Sequence, residues 1–449
     1  MVEEIENETA TGRGATVGEK RAGIRGTGRD ACEALEAGEL VVGLGEVRGA
    51  AKEGLLAMSV AVGLRVMAEM MEEELTSRVG PKHAKLAARL ATRHASAPGS
   101  VVLGGRRIKV RRPRARTTEG KEVHLDTYGI FSDDDQLTEV VMERMLAGLA
   151  TRRHQVANEP VGRSVEAQAS ATSRSSVSRR FVARTRGTLR ELMARDLSEL
   201  GIVALMIDGV NFAEHCCVVA LGISDDGTKV PLGLVLGDTE NKEVVRNLLT
   251  DLVSRGLNAD SGLLVVIDGA KALDRGVRDV FGPLAIVQRC GVHKRRNVAA
   301  YLPRGEQRWV DRRLAKAFNH PDPATGLRLA EDLARQLESR SLFEAAASVR
   351  EGLSDMFTIR RLKVSDRLAR SLGCTNAIES MVSVLRSTTR NVKRWRDAEM
   401  VERWAATGIL NAERSFRRVK GWNDMGTLVA GLACYAASVT SLHDTSEAA

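Results

Sequence analysis

The sequence predicts an α/β core, a mixed five-stranded sheet with helices, interrupted by an all-helical insert and preceded by mainly helical modules. Three observations predict it. Two aliphatic runs, Leu205-Met-Ile-Asp208-Gly and Leu263-Leu-Val-Val-Ile-Asp268-Gly, each stop at Asp-Gly, which is how a buried strand delivers a carboxylate to the rim of a sheet. Around them, strand and helix patterns alternate. A charged helical stretch broken by Pro303, Pro321 and Pro323 then separates this region from another amphipathic helix near Cys374.

At 449 residues the chain is long enough for about three domains. Its net charge of +9 is a moderate excess that favours a polyanionic partner without proving one. With 3% aromatics, recognition of single strands by many stacked bases is disfavoured. Adjacent Cys216 and Cys217 point to opposite faces of a strand and the other cysteines are scattered, so no disulfide framework is readable and a reducing cytoplasm fits. Neither a signal peptide nor an apolar run long enough for a bilayer is found.

Residues 1–48, rich in Gly, Glu, Thr and Ala, read as a disordered tail. Residues 49–160 form a helical and basic region for DNA binding or dimerisation. Its first helix carries Leu55, Met58, Val62, Val66 and Met70 on one face as a packing or dimerisation stripe, and Gly80-Pro81 ends it. A hairpin turning at Gly104-Gly105 follows. It holds Arg106, Arg107, Lys109, Arg111, Arg112, Arg114 and Arg116 without an acidic residue between them. Such a run is either a solvated basic strand or a phosphate contact. A second helix over Leu137–Arg153 puts Val141, Met145 and Leu149 on one side.

Residues 161–200 read as a helix-turn-helix-like module, though a plain helical pair has the same pattern. Ser173 is its N-cap, Val177, Phe181 and Val182 face a core, and Arg174, Ser178, Arg179 and Arg184 face outward toward DNA. Residues 201–293 hold strands Ile202–Ile207, Cys216–Ile223 and Lys229–Leu236, helix Lys242–Arg255, strand Leu263–Ile267, helix Lys271–Val280 and strand Leu284–Gln288. Three antiparallel strands, a helix, a strand, a helix and a strand is the order of a ribonuclease-H-like core, in which the first and fourth strands are neighbours. Asp208 and Asp268 then meet. Two carboxylates at one sheet edge repel, and a divalent cation is the commonest way to hold them together.

Residues 294–372 form the all-helical insert and 373–440 the C-terminal part of the core, followed by a flexible tail, 441–449. Ile378, Met381, Leu385 and Val392 make a core stripe, while Glu379, Arg386 and Lys393 repeat every seven residues on another face beside Arg390. Glu379, one step off the apolar stripe near the start of its helix, is the candidate to complete a three-carboxylate set suited to two-metal phosphodiester chemistry, with Mg2+ as the pair of ions and Mn2+ as a substitute. Arg386, two turns on, is placed to hold a phosphate. Glu214, His215, Asp238, Glu240 and Glu243 are explained as well by turns and helix charge. Trp309 reads as core rather than as a base-stacking ring, and Trp395, Trp404 and Trp422 as packing.

The order Asp208-Gly, Asp268-Gly, Cys290-Gly-Val-His293-Lys-Arg-Arg-Asn and Thr375-Asn-Ala-Ile-Glu379-Ser resembles the bacterial Mutator-type insertion-sequence transposases, a DDE family. Gly-Gly-Arg-Arg at 104–107, Glu-Arg-Met-Leu-Ala-Gly-Leu at 143–149 and Val-Ser-Arg-Arg-Phe at 177–181 extend the likeness. The resemblance implies that Asp208, Asp268 and Glu379 are the metal-binding triad, and that the family's Cys-x-x-His signature falls on Cys290 and His293. These two are expected to support the active site rather than to bind zinc, which wants four ligands. Lys294, Arg295, Arg296, Arg390 and Lys393 are expected to face DNA. Terminal inverted repeats and target DNA as partners, a homo-oligomer of at least two copies, no membrane, and a bacterial cytoplasm near the nucleoid complete the expectation. Its rivals are a ribonuclease-H-like nuclease and a DNA-binding regulator with an inactive core.

Overall fold

The computed structural model describes residues 54–82, 91–158, 161–237 and 241–447. The predicted tail 1–48 and residues Asp238 and Glu240 lie outside them. The described residues fall into two compact units, the smaller running to Asp133 and returning at Glu159–Ala169, the larger holding Asp134–Asn158 and Ser170 onward.

In the smaller unit, helix α1 (Leu55–Val79) lies against a hairpin of β1 (Ala91–Leu103) and β2 (Arg106–Thr117). Leu103 pairs with Arg106, leaving a two-residue loop. Gly104 and Gly105 take φ of 58° and 72° there, the left-handed pair that a primed hairpin turn requires and side chains resist. On α1 the prediction needs correcting. The buried face is Ala57, Ala61, Leu64, Met67, Met71, Leu75 and Val79, whereas Leu55, Val62, Val66 and Met70 of the expected stripe are exposed. The helix carries apolar residues on two faces, and periodicity alone does not say which of them packs. Helix α2 (Asp126–Ser132) completes this unit's main packing.

The larger unit begins with α3 (Asp134–Leu146) and α4 (Arg174–Met193). Ser173 caps α4 as expected, its Oγ accepting from the Ser176 N–H. The segment before it holds a six-residue helix, Arg163–Gln168, and a two-residue strand, Ala169–Ser170. Rather than a separate reading head, α4 is built into this unit: Val177 and Phe181 pack with Val141, Met145 and Trp404, and Leu192 enters the main core. Its apolar face is too long to be covered by a short partner helix.

The five-stranded sheet comprises β3 (Ile202–Phe212), β4 (His215–Ser224), β5 (Lys229–Gly237), β6 (Leu263–Ile267) and β7 (Ala285–Arg289), in the order β5-β4-β3-β6-β7. The first three strands are antiparallel, and β6 and β7 join parallel to β3. Helices α5 (Lys242–Ser254) and α6 (Lys271–Phe281) cover one face. Cys216 packs on that face and Cys217 on the other.

A helical stretch follows: α7 (Gly291–Ala300), α8 (Arg304–Phe318), α9 (Pro323–Ser339), α10 (Phe343–Arg350), the single turn α11 (Thr358–Arg361) and α12 (Asp366–Leu372). The residues from Val298 to Phe357 close a core of their own. The chain then returns to the sheet's second face with α13 (Asn376–Thr389), α14 (Ala398–Glu413) and α15 (Met425–Glu447). Helix α13 ends at Thr389, so Lys393 and Val392 sit in the following loop and not on the helix. No helix among the described residues is long and apolar enough to cross a membrane.

Candidate functional site

The parallel ladder between β3 and β6 pairs Ala204 with Leu264, Leu205 with Val265 and Met206 with Val266. Two residues further along each strand stand Asp208 and Asp268, at the same level of neighbouring strands. Their half-buried carboxylates stand at one rim because the parallel register carries both strands out of the core together, after the buried runs Ala204–Ile207 and Leu263–Ile267. The Asp208 carboxyl is pushed up to about 6, first by burial and next by the charge of Asp268, with Glu379 adding to it. The Gly209 N–H, 2.9 Å from Oδ1, and His293 oppose the rise. On the second strand, Asp268 Oδ1 accepts from the Ala270 N–H at 2.8 Å.

Glu379 arrives on the first turn of α13, where Ile378, Met381, Val382 and Leu385 are pressed into the core under the sheet. Being one residue past Ile378, it stands at the margin of that apolar stripe. Its Oε1 accepts a hydrogen bond from Thr375 Oγ1 at 3.0 Å and lies 3.7 Å from His293 Nε2. The same threonine hydroxyl lies 3.2 Å from His293 Nδ1 and 3.3 Å from Cys290 Sγ, while the Thr375 N–H also donates to that sulfur. Cys290 itself follows β7 and donates its N–H to Ile267 O, at the end of β6. Thus one buried threonine ties the Cys-x-x-His segment to the helix bearing Glu379.

Burial raises the Cys290 thiol, but bonds from His293 and Thr375 outweigh it and the net shift is downward. His293 is raised, chiefly by Cys290 and against burial, with Glu379 and Asp268 contributing. Cys290, His293 and Glu379 bring their ligand atoms within 4.8 Å of one another, the one such trio among the described residues. Asp208 and Asp268 are not part of it. In the sequence Thr375 stands out only as part of the Thr-Asn-Ala-Ile-Glu motif; its role comes from the fold, although a hydroxyl four residues before a helical glutamate is a readable signal.

Arg289 fixes the loop of Asp268. Its Nη2 donates to Gly269 O at 2.9 Å and its Nη1 to Glu351 O at 2.8 Å. Gly269, at φ 102°, and Gly352, at φ 60°, flank the guanidinium, and a Cβ on either would strike it.

The residues expected to face DNA divide. Arg106 is buried and paired with Glu166 at 2.8 Å, and Lys294 is buried with Nζ 2.6 Å from Glu351 O. Both are corrections. Lys294 lies on the inward face of α7, and Arg106 follows the tight turn with its side chain folded back to the Gly104 carbonyl. Arg107 bonds Ser100, Arg112 pairs with Glu122, and Arg295 forms a two-pronged pair with Asp311. Lys109, Arg111, Arg174, Arg179, Arg184, Arg296, Arg386, Arg390 and Lys393 are exposed, and Ser178 is half-buried. Trp309 is half-buried against the helical core, with Arg340 4.9 Å from its ring. Trp422, expected in packing, is 44% exposed beneath Arg418.

A family model described as transposase, Mutator family, matches residues 47–418. The chain is 28% identical to a transposase for insertion sequence element IS6120 of Mycolicibacterium smegmatis over 229 residues, 48% of this chain and 66% of the relative. It is 24% identical to the transposase for IS905 of Lactococcus lactis over 69% of this chain and 77% of the relative. A transposase for IS256 in transposon Tn4001 of Staphylococcus aureus is 24% identical over 64% of this chain and 72% of its own length. The match to the first of these relatives spans just under two thirds of that protein.

Proposed function

The chain belongs to the Mutator family of transposases, and from that premise we propose that it binds the terminal inverted repeats of its insertion sequence and catalyses metal-dependent cleavage and transfer of DNA strands. The core is read as ribonuclease-H-like on its strand order and on the antiparallel-then-parallel pattern around β3. Asp208, Asp268 and Glu379 are the metal ligands, and the exposed basic residues of the hairpin and α4 contact DNA. Two element ends call for at least two copies of the chain, working at the nucleoid.

One observation carries this reading. Asp208 and Asp268 stand level on adjacent parallel strands, and the first is held up to about 6 by burial and by the second. Such a pair gains most from a divalent cation, because ionisation of both is what the site resists when it is empty of countercharge. An all-oxygen set of carboxylates suits Mg2+, with Mn2+ as a substitute. When bound, such ions would activate a water or a 3′ hydroxyl and stabilise the leaving oxygen.

The chain's own residues have separate tasks. Gly209 and Ala270 N–H groups orient the two aspartates. Thr375 and His293 hold Glu379, and the proton affinity of His293 is raised, chiefly by Cys290. Arg386, exposed two turns further along α13, is positioned for a phosphate. The test is cleavage of a labelled element end in Mg2+ by wild type and by Asp208→Asn. Cutting by wild type alone, with binding retained by both, supports the proposal. Binding without cutting by both would favour a DNA-binding regulator instead.

A further inference from the structure

Helix α8 has a face that its own packing does not explain. Val310, Leu314 and Ala317 are buried in the insert's core. On the opposite side Arg304, Arg308, Arg312 and Lys316 recur every fourth residue, and all four are exposed. At 1.5 Å per residue they form a row of cations about 6 Å apart and about 18 Å long.

The acidic residues of this helix do not neutralise the row. Glu306 pairs with Arg340 at 2.9 Å and Asp311 with Arg295 at 2.7 Å, both reaching around toward neighbouring helices. Between the four cations the outward face holds only Gly305 and Ala315 beside them, so no side chain of opposite sign interrupts it. Among the described residues none of the four forms an ion pair. Like charges at every fourth position weaken a helix, and the arrangement has no structural return within the insert.

We propose that this row is a phosphate-binding track through which the insert grips duplex DNA, along about half a turn of the double helix. The inference rests on the transposase reading for the presence of DNA, but assigns a contact surface that reading does not contain. A duplex carries one negative charge per about 1.7 Å of axis, so a row of this length, winding through about 120° of the helix surface, meets several phosphates. Guanidinium forks at three of the four positions suit phosphate oxygens. Contacts of this kind set position and affinity without reading sequence.

The test is the salt dependence of binding to a random-sequence duplex several turns long, measured by fluorescence anisotropy on the full chain. The variant combines Arg304→Gln, Arg308→Gln, Arg312→Gln and Lys316→Gln; a control carries Arg328→Gln and Arg335→Gln on α9. Each lost phosphate contact removes about 0.9 from the slope of log K against log salt, so four predict a slope shallower by about 3 to 4. Between 50 mM and 200 mM salt the wild type then loses roughly 100-fold more affinity than the variant. A slope equal to that of the control overturns the track while leaving the transposase reading standing. A wild type that binds no duplex would overturn both, and circular dichroism identical to wild type establishes that the exposed substitutions leave the helix folded.

Discussion

Asp208→Asn is expected to stabilise the metal-free protein while removing its chemistry. The Asp208 carboxyl moves from 3.8 to about 6 on folding, about 2 units, and at 1.36 kcal/mol per unit its ionised form costs at most about 3 kcal/mol. Its half-buried position admits solvent screening, which brings the expected gain to roughly 1–2 kcal/mol. The sign follows from linkage. Below pH 4 the group is protonated in both states and carries no penalty; as pH rises through 6 the native carboxylate ionises and the penalty becomes complete. Wild type should therefore lose stability relative to the asparagine variant between pH 4 and 6, and the gap should stay constant above. For the larger unit this is a difference in melting temperature of roughly 2–8 °C at pH 7.5 in EDTA. Adding Mg2+ should raise wild type and leave the variant nearly unmoved. Equal melting temperatures across pH 4–8 in EDTA would refute the electrostatic account of the pair.

Three other substitutions probe the supports of the site. Thr375→Val removes the hydroxyl shared by Cys290, His293 and Glu379; Mn2+ affinity measured calorimetrically should fall about tenfold, and Thr375→Ser should restore it. Gly408 packs against Leu385, where an added Cβ would lie 2.6 Å from Cδ1, so Gly408→Ala should cost about 1–3 kcal/mol in denaturant melts by displacing the helix that carries Glu379. Lys294 is held down to about 8 by burial and by Arg289. The unfolded chain then binds more protons between pH 8 and 10.5, so wild type gains stability across that window. Lys294→Met should be more stable by about 1–2 kcal/mol at pH 7, with the advantage shrinking as pH rises to 10.5.

The sheet was legible in the sequence because buried strands leave continuous aliphatic runs. Leu263–Ile267 is the strand as read. The first strand runs on to Phe212 because Ala213, at φ 50°, allows a tight turn into His215, and nothing in the residue types announces that. The level placement of Asp208 and Asp268 followed from topology alone. Charge runs were the poorest guide: Lys-Arg-Arg at 294–296 looks uniformly exposed, yet helical periodicity turns Lys294 inward while Arg296 stays out. Helix α1 misled for a related reason, since it carries apolar residues on two faces of similar size and only the one from Ala57 through Leu64, Met71 and Leu75 to Val79 is buried. The Thr375 contacts join residues 82 and 85 apart in the chain, a separation no local pattern records.

The central claim is that Asp208, Asp268 and Glu379 serve the same cations, and Mn2+ titration of the purified protein, read by calorimetry or electron paramagnetic resonance, tests it most directly. Asp208→Asn, Asp268→Asn and Glu379→Gln should each weaken Mn2+ binding by at least tenfold while preserving the fold. If Glu379→Gln binds Mn2+ as wild type does while the two aspartate variants lose it, the third acid belongs only to the Cys290–His293–Thr375 cluster, and the three-carboxylate site is contradicted.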